Sequence, residues 1–229
     1  MAGIPVPREQ VLEALRTAQA VCLDVDSTVS PDEGIDVLSS FAGVSSQVAE
    51  ITRSAMEGHL PFHAALIARL ELIRPSQEML ARCLKAHPPS LNPGVLELVQ
   101  LLQAQGTHVY LVSGGFEPLI LPLAAQLGIP ASKVFANVFH FDADGGYAGF
   151  DLQRPTAQAG GKAAVLLRLK RLHGYFPLIM IGDGATDLEA RPPADYFVGF
   201  GGVVVREKVR READWFITDF TELVEALRA

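Results

Sequence analysis

A chain of 229 residues has room for one large domain, or for one domain with a modest insertion, and 49% hydrophobic with 20% charged residues excludes intrinsic disorder. The formal net charge of −7 excludes generic nucleic-acid binding, which needs clustered basic surface; an anionic substrate must meet a local cation that outweighs the overall repulsion. Cys22 and Cys83 cannot build a disulfide framework, and each sits in an apolar pattern suited to a small buried thiol in a reducing interior.

The opening Met-Ala-Gly-Ile-Pro-Val-Pro lacks a basic region followed by an apolar core, and no apolar run approaches a membrane span, so a cytoplasmic protein is expected. Val11, Leu12 and Leu15 predict a short helix within 8–19, leading into the apolar run Val21-Cys22-Leu23, a buried strand. Where that strand ends, Asp24-Val25-Asp26-Ser27-Thr28 sets two carboxylates two residues apart, on one side of an extended chain. Paired like charges there call for a neutralising cation or proton, and a divalent cation is the simplest; the plainer reading is a polar strand end feeding a turn.

Ser30-Pro31-Asp32-Glu33 puts serine, proline and glutamate at the N-cap, first and third positions of a helix, a capping box. From there to about residue 87 the patterning is helical throughout: Ile35/Leu38/Phe41, Val44/Val48/Ile51, Phe62/Leu66/Leu70/Ile73 and Met79/Leu80/Cys83/Leu84. Roughly fifty-five such residues exceed one crossover of a doubly wound sheet. Residues 31–87 are therefore expected to form an inserted helical cap on a core made of 1–30 and 88–229. In the helix at 61–74 the helical step places Arg69 within the apolar stripe of Phe62, Leu66 and Ile73. Its charge needs a partner there, either a substrate carboxylate or a buried salt bridge.

Asn92-Pro93-Gly94 opens a helix that stops at Gly106, and Val109-Tyr110-Leu111-Val112 is a second strand ending in Ser113-Gly114-Gly115. Residues 117–127 read as a helix that Pro122 should kink or shorten. Val134 to Phe141 and Tyr147 to Phe150 flank Asp142-Ala143-Asp144-Gly145-Gly146 and predict a β-hairpin whose aspartates shape the turn. Gly160-Gly161-Lys162 precedes a helix marked by Val165, Leu166, Leu169 and Leu172. Leu178-Ile179-Met180-Ile181 is a third buried strand running into Gly182-Asp183-Gly184-Ala185-Thr186-Asp187. Tyr196–Phe200 and Trp215–Ile217 add two strand candidates, and Phe220/Leu223/Val224/Leu227 a closing helix. Three apolar strands separated by helices, each ending in polar residues, predict an α/β fold with a parallel sheet and a site beyond the carboxyl ends of its strands.

Asp24-x-Asp26-x-Thr28, Ser113, Lys162 and Gly182-Asp183-Gly184-x-x-Asp187 resemble the ordered motifs of the haloacid dehalogenase superfamily. Within it, Asp24 to Val29, Glu33-Gly34-Ile35-Asp36, Ala55-Met56-x-Gly58, Ser113 to Phe116 and Gly182 to Asp187 are similar to the animal-type sequences of the branch that hydrolyses phosphoserine. The resemblance runs from about residue 20 to 221. It implies a Rossmann-like, doubly wound core with a helical cap, Mg²⁺ as cofactor, and hydrolysis of O-phospho-L-serine to L-serine and phosphate, the last step of L-serine biosynthesis. Thr186 stands where asparagine is common in relatives, and its hydroxyl can still donate a hydrogen bond.

The resemblance also assigns roles. Asp24 is the nucleophile, a carboxylate that forms an aspartyl phosphate. Asp24 and Asp183 give side-chain oxygens to the metal and Asp26 its backbone carbonyl, leaving the Asp26 carboxyl as general acid and base, or, on the plainer reading, as a turn stabiliser. Ser113, Gly114 and Gly115 donate to phosphoryl oxygens, and Lys162 neutralises them and the acidic cluster, where a lone lysine at a helix start would otherwise be a solvated residue. Asp187 orients Lys162 or a metal water, or merely suits the first turn of a short helix. Substrate contacts are completed by Thr186, by Arg69 on the α-carboxylate, by Glu33 on the ammonium in competition with its capping role, and by Met56, otherwise an ordinary cap residue. The expected partner is the small-molecule substrate, with no nucleic acid and no membrane; a homodimer is the one assembly left open. Two other readings stand beside this one. A phosphotransferase, or a phosphatase for another small phosphate, would keep the chemistry but need neither Arg69 nor Glu33. A non-catalytic binding protein of the same fold would not need Asp24, Asp26, Lys162 and Asp183 together.

Overall fold

In the computed structural model, which describes residues 6–57 and 59–229 without the Met56 side chain, helix α1 (Arg8–Arg16) leads into strand β1 (Ala20–Leu23), buried along its whole length. An irregular helical turn (Val25–Val29) follows, and then four helices in succession: α2 (Gly34–Ala42), α3 (Ser45–Met56), α4 (Phe62–Ile73) and α5 (Gln77–Ala86). The α/β alternation resumes with α6 (Val95–Ala104), β2 (His108–Phe116), α7 (Glu117–Gln126), β3 (Val134–Asn137), β4 (Phe139–Phe141) and β5 (Tyr147–Phe150). It closes with α8 (Gly161–His173), β6 (Leu178–Gly182), α9 (Ala185–Leu188), β7 (Tyr196–Phe200), α10 (Glu207–Glu212), β8 (Trp215–Ile217) and α11 (Thr221–Arg228). No described helix is long and apolar enough to cross a membrane.

Among the described residues the main sheet has the order β3-β2-β1-β6-β7-β8 with every pair parallel, and β4-β5 form a separate antiparallel ribbon. The chain runs outward from β1 in one direction through β2 and β3, then returns to β6 on the other side. That reversal opens a crevice at the carboxyl ends of β1 and β6, where such sheets bind ligands. Strand alternation supplies two apolar faces. Val21 and Leu23 pack with Leu15, Leu98, Leu102 and Leu223, whereas Cys22 faces Leu166, Met180 and Phe197. Both cysteines are buried free thiols.

A third apolar cluster ties the helical insertion to the rest. Leu38, Leu66, Leu70, Leu80 and Cys83 of α2, α4 and α5 pack with Phe116 at the end of β2 and with Phe139, Tyr147 and Phe150 of the β4-β5 ribbon. Phe116 is fully buried, stacks on Phe139 at 3.9 Å between ring centres and meets Phe150 edge-on at 5.8 Å.

Three expectations need correction. The hairpin is shorter than predicted: Val134–Asn137 joins the main sheet beside β2, and only Phe139–Phe141 pairs with β5, because an apolar run of that length satisfies a parallel edge as readily as a ribbon. Ser30 does not cap a helix. Its Oγ accepts from Asp32 N at 3.2 Å, and α2 begins four residues later with its first amide, Gly34 N, donating to Asp26 Oδ1 at 2.7 Å. The capping function is thus supplied from the strand end, and no pattern local to residues 30–33 could show it. Helix α7 is not cut short at Pro122 and runs to Gln126.

Replacing Phe116 with Ala should cost about 3–5 kcal/mol of stability, read by urea denaturation, since its ring joins sheet, ribbon and insertion at one point.

Candidate active site

Strands β1, β2 and β6 each deliver polar groups into the crevice. The ladder between β1 and β6 extends to Asp24 N, which donates to Ile181 O at 2.9 Å, so Asp24 and Asp183 stand side by side beyond the strand ends. Asp24 is buried, and its Oδ1 accepts from Val25 N at 2.7 Å and from Lys162 Nζ at 2.6 Å. Lys162, at the start of α8, also donates to Asp187 Oδ1 at 2.7 Å. Asp187 Oδ2 accepts from Gly184 N at 3.0 Å, closing the turn between β6 and α9. The lysine is therefore a buried cation shared by two buried aspartates.

The electrostatics follow from crowding. Burial pushes the Asp24 carboxyl well up, and Asp187, Asp183 and Asp26 push further, against Lys162. Burial raises Asp187 too, opposed by Lys162. For Lys162 burial alone would lower the ammonium, but Asp187 and Asp24 outweigh it and raise it. Among the described residues three aspartates, Asp24, Asp183 and Asp187, meet two cations, Lys162 and Arg206; Arg206 Nε donates to Asp183 Oδ2 at 2.9 Å. Oxygens of Asp24, Asp183 and Asp187 lie within 4.8 Å of one another, a hard all-oxygen donor set that suits a Mg²⁺-like cation and would relieve the excess negative charge.

Asp26 does not belong to that oxygen cluster. Its Oδ1 is held by Gly34 N and its Oδ2 by Ser113 Oγ at 3.0 Å. Burial raises its carboxyl, and the hydrogen bonds from Gly34 and Ser113 hold it down. Gly115 N in turn donates to Ser113 Oγ at 2.8 Å, and a side chain on Gly115 would place Cβ 2.8 Å from Asp26 Oδ2, so only glycine allows this approach.

A cavity of about 420 Å³ opens from the carboxylates to the insertion. Its walls bring Gly114, Gly115, Lys162, Asp183 and Thr186 together with Glu33 and Arg69. Arg69 forms no ion pair among the described residues; its Nε donates to Ala65 O at 3.2 Å, and its head faces the cavity with Asp36, Glu33 and Asp26 as its nearest charges. The buried-salt-bridge alternative for Arg69 thus finds no partner among the described residues. Glu33 accepts from Ser27 Oγ at 2.7 Å rather than capping α2, and loss of hydration, followed by the Asp26 charge, raises its carboxyl to about 6. Met56 ends α3, and its side chain lies outside the described residues. Two site residues escaped the sequence reading. Ser27 has a left-handed backbone, φ 54°, which no pattern announces. Arg206 follows β7 in a loop at the carboxyl side of the sheet, and that position was the signal available for it.

These strands and carboxylates define a hydrolase class: residues 21–190 match the family of haloacid dehalogenase-like hydrolases. Phosphoserine phosphatase of Bos taurus is 53% identical over 211 residues, covering 92% of this chain and 94% of that protein. Among solved structures, DsGPDH of Dunaliella salina superposes with a TM-score of 0.84 at 36% identity over 96% of this chain, which spans 38% of that longer protein. A phospho-aspartyl intermediate analogue of phosphoserine phosphatase gives a TM-score of 0.78 at 27% identity, over 91% of this chain and 98% of that one. The chain belongs to the haloacid dehalogenase-like hydrolases and, within them, to the phosphoserine phosphatases.

Replacing Lys162 with Met would leave Asp24 and Asp187 buried without their shared cation. Stability should fall by about 3–5 kcal/mol at pH 7.5. Because the folded carboxyls then bind protons more readily than unfolded ones, stability falls with rising pH, and the deficit should narrow in denaturation at pH 5.5.

Proposed function

We propose that the protein hydrolyses O-phospho-L-serine to L-serine and phosphate with Mg²⁺, through an aspartyl phosphate on Asp24, as the last step of L-serine biosynthesis in the cytoplasm. One observation carries the substrate: a single cavity joins the carboxylate cluster to Arg69 and Glu33, opposite charges that match an α-carboxylate and an ammonium. The names of the relatives support the same substrate.

Asp24, Asp183 and the backbone carbonyl of Asp26 would hold the metal, which neutralises phosphoryl charge when bound. Lys162 and the Val25 amide fix the Asp24 carboxylate so that it meets phosphorus without reorganising. Gly114 and Gly115 line the phosphoryl end of the cavity, Ser113 holds the Gly115 amide and Asp26 behind them, and Lys162 adds a positive charge to the phosphoryl oxygens. The Asp26 carboxyl, raised by burial, carries a proton to the seryl oxygen as it leaves. It then takes one from the water that attacks the aspartyl phosphate. Asp187 keeps Lys162 oriented, and Thr186 and Met56 complete the walls around phosphate and substrate. Residues 31–87 act as the cap that sets specificity, because Arg69 and Glu33 both belong to it.

The test is phosphate release from L-phosphoserine, phosphothreonine, phosphotyrosine and a sugar phosphate, with and without Mg²⁺. Metal-dependent preference for phosphoserine is expected. Turnover of another phosphate alone would discard the Arg69 and Glu33 assignments.

The ionisation of Glu33 makes a second expectation. Its carboxylate must be charged to hold an ammonium, and its raised value of about 6 means that the charge is lost as pH falls through that point. KM for phosphoserine should therefore climb below pH 6, while KM for p-nitrophenyl phosphate, which has no ammonium, should not follow it.

A further inference from the structure

Asn137, at the carboxyl end of β3, is fully buried and takes no part in the chemistry described above. Its Nδ2 donates to Gly114 O at 2.8 Å, and its Oδ1 accepts from the hydroxyl of buried Thr156, also at 2.8 Å. Only one orientation of the amide donates to a carbonyl, so the contact with Gly114 O fixes which end faces Thr156.

The Gly114–Gly115 peptide is consequently held at both ends, its carbonyl by Asn137 and its N–H by Ser113 Oγ at 2.8 Å. A peptide unit is planar, so anchoring the oxygen sets the direction of the hydrogen. Between two glycines little else restrains that plane. The donors then run one way: Thr156 to Asn137, Asn137 to Gly114, Gly115 to Ser113, and Ser113 to Asp26 Oδ2 at 3.0 Å. Such a chain polarises each bond in the same sense and ends on the carboxyl read as general acid and base. Thr156 belongs to the turn 155–157, which packs so closely on the first residue of α8 that Gly161 has no room for a side chain. The next residue is Lys162.

We infer that Asn137 and Thr156 are a positioning pair: they set the plane of the Gly114–Gly115 peptide, and with it the Ser113 hydroxyl, so that the phosphate-facing loop and Asp26 are in register for phosphoryl transfer. The inference rests on the roles given to Ser113 and Asp26 under the proposed function. It adds that their alignment is imposed by Asn137 from β3 and by Thr156 from the turn that borders the cavity.

Asn137→Asp keeps an acceptor for Thr156 but turns a carboxylate oxygen toward the Gly114 carbonyl. Thr156→Val removes only the hydroxyl, and Thr156→Ser retains it. Full-length variants are assayed with Mg²⁺ on L-phosphoserine and on p-nitrophenyl phosphate, beside thermal unfolding. With the peptide released, kcat should fall roughly a hundredfold for Asn137→Asp and about tenfold for Thr156→Val, equally on both substrates and with KM within about threefold of wild type. Thr156→Ser should recover what Thr156→Val loses.

A kcat near wild type in Asn137→Asp or Thr156→Val, whatever the change in melting temperature, would overturn the inference and leave a structural role. So would a loss confined to phosphoserine, or a Thr156→Ser as impaired as Thr156→Val. Should Asn137→Asp fail to fold, the two Thr156 variants decide alone. Wild-type protein that hydrolyses p-nitrophenyl phosphate but not phosphoserine would contradict the substrate assignment and still allow this test, because the pair acts on the phosphoryl group.

Discussion

Carboxylates crowded beyond the end of a parallel sheet repel one another, and the site depends on the cations set among them. Lys162 bridges Asp24 and Asp187 with both contacts under 2.8 Å, and Arg206 takes Asp183. Water is largely excluded from this point, so the repulsion is poorly screened and each cation matters more than a surface pair would. The arrangement also leaves negative charge in excess. That surplus suits a divalent cation, while burial, with a smaller push from Asp183, keeps Asp26 prone to hold a proton.

The scaffold makes the crowding possible by bringing strand ends together in depth. β1 lies between β2 and β6, so the polar residues that follow each strand share one crevice although they are far apart in the chain. The helical insertion is not a loosely tethered flap. Its apolar residues share a cluster with Phe116 and with the β4-β5 ribbon, which seats α4 so that Arg69 faces the cavity. Asp26 joins the two parts directly, since one oxygen caps α2 and the other meets Ser113 of β2.

Much of this was legible in sequence because apolar runs that stop abruptly at Asp24, Ser113 and Asp183 carry their own positional meaning. The helical patterning of 31–87 and the place of Arg69 in an apolar stripe were equally readable. What escaped depended on contacts distant in the chain. Ser30 to Glu33 satisfied every local rule for a capping box, yet the cap of α2 comes from Asp26, which freed Glu33 for the cavity. Residues 134–141 read as one hairpin arm, which hid Asn137 at the end of a parallel strand, where the other site residues also stand. Arg206 lacked a recognisable motif around it, and the left-handed turn at Ser27 follows from tertiary packing that no spacing encodes.

The most direct measurement is chemical trapping of the phosphorylated enzyme. Protein turning over L-phosphoserine with Mg²⁺ is quenched in acid, reduced with tritiated borohydride, which converts an aspartyl phosphate to tritiated homoserine as phosphate leaves, and mapped by peptide. The crowded, cation-balanced site predicts label on the peptide containing Asp24, accumulating further when Asp26 is replaced with Asn. Steady turnover with no covalent label, or label on another residue, would contradict it.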